Sequence, residues 1–282
     1  MQASRNYLIA TLIAATIVLA ACRERSASPS STTFLTDTTT VDSVSLALDS
    51  EEAYERPMPK AADELFDDFI FNFATSKKLQ LSRTRFPLAE VRGQRVDSLT
   101  RQQWRMDYFF MQQDYYTLLF DDEQQMDIVK DTRVNHVVLE KIYFNTKSIK
   151  QYVFDRIDGL WTLQRIEYQR ISQSHNGSFL EFYERFVNDT TFQEHSLGET
   201  VHFVGPDPDD DFSQMEGEIT PDTWPAFAPE LPQKMIYNIV YGKAHQEKDH
   251  KVFVMRGIAN GMEMQLSFRR NGGKWKLVKM AT

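Results

Sequence analysis

Two stretches of this chain are variants of one another, and that recurrence constrains its fold more than any other feature. DELFDDFIFNFAT begins at Asp63 and GSFLEFYERFVND begins at Gly177. Phe66, Phe69 and Phe73 align with Phe179, Phe182 and Phe186 at an offset of 113, and so does Gln80 with Gln193. The i, i+3, i+7 spacing puts each trio on one helical face. Further on, YVFDRIDGLWTL from Tyr152 aligns with LSFRRNGGKWKL from Leu266 at an offset of 114. Asp158-Gly159 and Gly272-Gly273 break these apolar runs, a two-residue hairpin signal. Val138 to Phe144 and Val252 to Ile258 read as the preceding strands. Between helix and strands, Trp104 aligns with Trp224 at an offset of 120, and YYTLLF from Tyr115 with IYNIVY from Ile236 at 121. This drift requires about eight extra residues in the second copy near Gly205, and about seven fewer between Phe120 and Val138. Loops are the expected place for both.

Each copy therefore reads as a helix, a variable stretch with shorter helices, and three or four antiparallel strands. Helices segregated from strands indicate an α+β class. At about 105–110 residues, each copy is long enough for a core of its own. The expected boundaries are 61–172 for the first repeat and 173–282 for the second. A helix across a curved antiparallel sheet resembles the nuclear-transport-factor-two-like cone fold, with a cystatin-like helix-on-sheet domain as the other reading. The paired FxxFxxxF helices and Gly-x-Trp-x-Leu hairpins, with the N-terminal signals below, resemble an uncharacterised lipoprotein family of Bacteroidota. That resemblance implies tandem cone domains and supplies no catalytic residues.

Arg5 precedes an uncharged apolar run from Tyr7 to Leu19. The run is shorter than the roughly 20 residues of a membrane span, so residues 1–21 read as a secretory signal. Leu19-Ala20-Ala21-Cys22 resembles a bacterial lipobox, which makes Cys22 the expected lipidation site and the membrane the expected partner through its acyl chains. Cys22 is the chain's only cysteine, so neither an intramolecular disulfide nor a cysteine-based zinc site can form. Arg23, not Asp, follows it. By resemblance to bacterial sorting rules this favours the outer membrane. Residues 22–60 are rich in Ser, Thr, Asp, Glu and Pro and read as anchor and flexible tether. Asp37-Thr38-Thr39 and Asp42-Ser43-Val44 resemble acceptor sites for O-glycosylation in Bacteroidota.

Forty acidic against 32 basic residues give a net charge of -8, which opposes nucleic-acid binding. Removing residues 1–21 takes away Arg5 alone, leaving 31 basic against 40 acidic groups, or -9. No G-x-S-x-G, G-x-G-x-x-G or G-x-x-x-x-G-K-[ST] motif occurs, and no pair of histidines has metal-ligand spacing. The fold resemblance implies a pocket in which an Asp, His or Tyr could move protons, since desolvation tunes such groups. Asp107, Tyr108, Tyr115, Tyr116 and His136 are the candidates in the first copy, and His202, Tyr237 and Tyr241 in the second. Trp104, Tyr108, Tyr115, Trp224 and Tyr237 are the candidate ligand-binding aromatics. For the tryptophans, which recur at Trp161 and Trp275, core packing is the competing role. Asp207, Asp209 and Asp211, with Glu218, match EF-hand positions 1, 3, 5 and 12. Phe212, however, stands where that loop needs Gly, and proline with aspartate makes ordinary turns.

The sequence thus reads as a cofactor-free, lipid-anchored cell-envelope protein, a non-catalytic tandem module that binds an envelope protein or a small ligand. The alternative is an enzyme of isomerase/dehydratase or hydrolase type using one cone cavity. Asymmetry separates them. An enzyme should place a polar acid or base in one cavity, with an apolar residue at the equivalent position of the other.

Overall fold

Helix α1 (Phe66–Thr75) forms where apolar side chains recur every third or fourth residue. Phe66, Phe69, Ile70, Phe73 and Ala74 are all buried. Ser76 ends it and starts α2 (Lys77–Ser82), its Oγ accepting from the Leu79 N–H at 3.2 Å. The same local chemistry recurs in α3 (Gly177–Asn188) and α4 (Thr190–His195), where Asp189 caps by accepting from the Phe192 N–H at 2.9 Å. This is the computed structural model of the chain, and it describes residues 63–243 and 248–282. The signal segment, Cys22, the tether, its candidate glycosylation sites and His245 lie outside the described residues.

Between α2 and α3 run β1 (Thr84–Arg92), β2 (Arg95–Leu99), β3 (Tyr115–Phe120), β4 (His136–Tyr143), β5 (Ser148–Ile157) and β6 (Leu160–Arg170). After α4 come β7 (Leu197–Asp207), β8 (Asp210–Ile219), β9 (Met235–Tyr241), β10 (His250–Gly257), β11 (Glu263–Asn271) and β12 (Lys274–Ala281). Asp158 and Gly159, and again Gly272 and Gly273, all have positive φ. That is the backbone of the two-residue turn expected at both places.

The twelve strands form one sheet, ordered β2-β1-β6-β5-β4-β9-β3-β10-β11-β12-β7-β8. Three features depart from expectation. First, the sheet is mixed, because β1–β6, β7–β12 and β3–β9 pair in parallel. Second, the extra residues of the second half sit in the β7–β8 hairpin, whose strands outlast β1 and β2, and not in a loop. Third, β9 lies beside β4, and β3 lies beside β10. Each half thus receives its middle strand from the other.

The exchange also fixes the register. Leu139 pairs with Ile239, and Phe253, its counterpart 114 residues on, pairs with Leu119. Ile239 therefore stands where Leu119 stands, at an offset of 120. The offset of 121 is one residue out, and a one-residue slip turns every side chain to the opposite face. The counterpart of Tyr237 is Thr117, not Tyr116.

Alternate residues of the central strands feed two cores. Tyr116, Leu118, Phe120, Tyr237, Ile239, Tyr241, Val252 and Val254 pack with α1. Leu119, Ile142, Ile236, Phe253 and Met255 pack with α3. Since successive strand residues point to opposite faces, α1 and α3 cover opposite faces of one sheet. Neither half closes a core alone, contrary to the expectation of self-contained copies.

Candidate functional site

Gln80 and Gln193 organise the approach to each core. Gln80, fully buried, donates from Nε2 to the Phe73 carbonyl at 2.9 Å, and its Oε1 accepts from the Trp104 indole N–H at 3.1 Å. Gln193 repeats both bonds, to the Phe186 carbonyl at 3.2 Å and from the Trp224 N–H at 3.0 Å. Trp104 and Trp224 are buried and hold structure by these bonds. They offer no face to a ligand.

In the first half Gln80 goes further. Its Oε1 also accepts from the Asp107 N–H at 3.1 Å, and its Nε2 donates to the Asp107 carbonyl at 2.6 Å. Asp107 is thereby fixed at the end of the α1 core, where its Oδ1 accepts from the Phe109 N–H at 2.9 Å. The Tyr152 hydroxyl donates to its Oδ2. Burial, then the Asp107 charge, push the Tyr152 hydroxyl far above the usual phenol range.

Beyond this pair lies a half-buried patch on the same sheet face. Lys141 on β4 and Lys150 on β5 are direct cross-strand partners. The Lys150 Nζ stands 4.5 Å from the Tyr152 ring centre and 6.0 Å from that of Tyr168. The Lys141 Nζ stands 5.0 Å from Tyr237 and 5.6 Å from Tyr143. Arg92 lies 3.6 Å over Tyr168, whose hydroxyl donates to Glu90 at 2.9 Å. These are cation–π distances. Burial pulls the Lys150 ammonium below the ordinary lysine range. Burial acts on Lys141 too, but its hydrogen bond with Tyr237 and the nearby Tyr237, Tyr143 and Asp107 raise it overall. Burial pushes Tyr168 up to about 12.

The second half has nothing comparable. At equivalent positions Met255 replaces Lys141, Met264 replaces Lys150, Leu266 replaces Tyr152, Phe203 replaces Glu90 and Phe227 replaces Asp107. Met255, Met264 and Leu266 are buried, and Phe203 and Phe227 lie 6.4 Å apart.

The structure brings together Asp107 and Tyr237 among the sequence candidates. Tyr237 arrives on the exchanged strand β9, so it serves the first half's face and not the second's. The other candidates lie elsewhere. Tyr108 is 48% exposed, Tyr115 packs against the α3 core, and Tyr116 is buried beside Asp67 and Arg256. The Tyr241 hydroxyl donates to Asp67. His136 meets Asp155 at 2.6 Å, and His202 meets Glu218 at 3.3 Å, both between neighbouring strands. Asp207 sits in the β7–β8 turn, where it accepts from the Asp209 N–H at 2.9 Å. Glu218 is paired with His202 far along that hairpin, so the EF-hand spacing does not become a shared site. Among the described residues no group of three or more His, Cys, Asp or Glu could hold a metal ion.

Sequence reasoning missed Lys141, Tyr143, Lys150, Tyr152 and Tyr168. The signal lies at the offset of 114, where Lys141 aligns with Met255 and Lys150 with Met264. Two clefts of about 700 and 660 Å³ lie against β12 in the second half, and their walls hold none of the ligand-binding candidates.

The chain resembles a solved structure described as an NTF2-like protein from Bacteroides fragilis. The two are 41% identical, with a TM-score of 0.73, over 80% of this chain and 98% of that one. That protein shares the α+β architecture of few helices on a large curved sheet. No curated protein matches the chain. A family model described as a domain of unknown function, DUF4348, matches residues 46–282. The chain belongs to that family.

Proposed function

We propose that this is a lipid-anchored cell-envelope protein of two tandem cone-like halves interlocked through one sheet, and that the face of the first half binds a small polar ligand. One observation carries the ligand reading. Two halves that solve the same packing problem with the same Phe, Gln and Trp residues differ at the mouth of one core, where Asp107, Lys141, Lys150 and Tyr152 replace apolar residues. Folding does not require those charges, since the second half reaches the same architecture without them. A function in the first half accounts for the difference. A fragment screen read by crystal soaking tests it. Fragments should gather on the face of Lys141, Lys150 and Tyr237, and fragments found only elsewhere would sink the reading.

The same asymmetry also favours a second reading, catalysis of isomerase/dehydratase or hydrolase type, with Asp107 moving the proton. Binding is preferred because Asp107 is held in place by Tyr152 and by the Phe109 backbone N–H, and among the described residues no histidine or second carboxylate joins it to complete a proton relay. Asp107→Asn separates the readings. A binding site keeps most of its affinity, whereas an enzyme loses turnover.

The anchor reading rests on Leu19-Ala20-Ala21-Cys22, and Arg23 after the cysteine, in place of Asp, favours the outer membrane. Cys22→Ser should move the protein from the membrane pellet to the soluble fraction. Unchanged fractionation would refute acylation.

A further inference from the structure

We infer that the ligand of the first half's face is a small organic anion, its acidic group held between the ammoniums of Lys141 and Lys150. This rests on the ligand reading above and names the class of ligand. The argument begins with the ladder. Lys141 and Lys150 are directly opposed on β4 and β5, and both turn to the α1 face. Like charges directly opposite one another destabilise a sheet. Carboxylates answer them only in part: Asp107 acts on both lysines and Glu90 on Lys150, without an ion pair to either. Among the described residues neither ammonium has an ion-pair partner, and their neighbours are tyrosine rings.

The two nearby carboxylates are already engaged. Asp107 takes the Tyr152 hydroxyl and the Phe109 N–H, and Glu90 takes the Tyr168 hydroxyl and sits 3.7 Å from Arg92. The cluster therefore holds three cations, Lys141, Lys150 and Arg92, against two carboxylates, an excess of one positive charge on a chain whose net charge is -8. Local positive charge is concentrated at one spot of an acidic protein. Burial works against the charge on Lys150, so holding an ammonium there is costly when the site is empty. An anion placed between the two lysines removes the repulsion and supplies charge-assisted hydrogen bonds to both. Tyr143 and Tyr168, half-buried beside the lysines, give an aromatic or apolar body a surface to lie on.

The probes are sodium benzoate, benzamide and benzylammonium chloride, matched in shape and different in charge. Binding to the whole chain is followed by calorimetry and located by amide chemical shifts. Benzoate should bind, move the amides of β4 and β5, and weaken as chloride rises. Lys141→Met and Lys150→Met should each weaken it about tenfold or more, and Lys150→Arg should retain it. Two results would overturn the anion assignment while leaving a ligand site in place. One is benzamide or benzylammonium binding this face as well as benzoate. The other is benzoate binding here unaffected by both methionine variants. The ligand reading itself fails if neither these probes nor the wider fragment set occupies this face.

Discussion

Lys141, Lys150 and Tyr152 stand where Met255, Met264 and Leu266 stand in the second half, yet both halves build the same helix, the same Gln–Trp bonds and the same glycine-turned hairpin. At the other end of the strands the contrast reverses. Lys251 in the second half is 1% exposed, paired with Asp121 at 2.5 Å and with the Asn176 oxygen at 2.5 Å. Its first-half counterpart is Val137. Each half thus carries a polar cluster where the other is apolar, and these two clusters are different in kind. The Lys251 cluster is buried and internally paired, although it borders a cavity of about 150 Å³, and its pairing marks it as structural. The Lys141–Lys150 cluster is half-open and unbalanced, which marks it as waiting for something.

The buried cluster gives the largest expected effect. Asp121→Ala strands a buried ammonium, and removing one partner of a buried pair costs about 3–5 kcal/mol. Urea unfolding should show that loss, and Lys251→Met on the same background should recover most of it. A double variant no better than the single would mean that Lys251 is not held by Asp121. The next comparison uses aligned phenylalanines. Phe69 is fully buried, while Phe182, its counterpart, is half-buried beside the 660 Å³ cleft. Phe69→Ala should cost about 3–5 kcal/mol. Phe182→Ala should cost clearly less, because less of its ring leaves water. Equal losses in the two unfolding midpoints would show that aligned position, and not burial, decides.

Local features were legible in the sequence and long-range ones were not. The helices declared themselves because Phe66, Phe69 and Phe73 keep a helical period. The hairpins did so because Asp158-Gly159 and Gly272-Gly273 suit only a turn of positive φ. The exchange of β3 and β9 left no mark, since nothing within YYTLLF or IYNIVY says which strand lies beside it. The one-residue slip has the same origin. Both strands are buried on both faces, so they carry no alternation of apolar and polar residues to set the phase. The acidic run at Asp207 was read from composition as a solvated turn. It is one, but the strands around it lengthen into the hairpin that holds the inserted residues. For the site, Asp107 and Tyr237 were named as chemistry-bearing types. Lys141 and Lys150 carry no such mark, because only the register of β4 against β5 sets them opposite one another.

The smallest expected effect bears most directly on the contrast between halves. Lys150→Met gives the first half the kind of residue the second half has. If the charge is there for function, its removal should stabilise the ligand-free protein, by about 0.5 kcal/mol, the scale of one like-charge pair across a ladder. The pH dependence follows from the lowered ammonium. In the interval between its folded value and the ordinary lysine pKa of about 10.4, the unfolded chain binds more protons than the folded one. Wild-type stability therefore rises with pH through that interval. Lys150→Met lacks this rise, so its advantage should be greatest near neutrality and shrink toward pH 10, as read from urea midpoints at several pH values. A variant less stable than wild type near neutrality would mean that the Tyr152 and Tyr168 rings repay the cost of Lys150. The polar patch would then be part of the frame and not a departure from it.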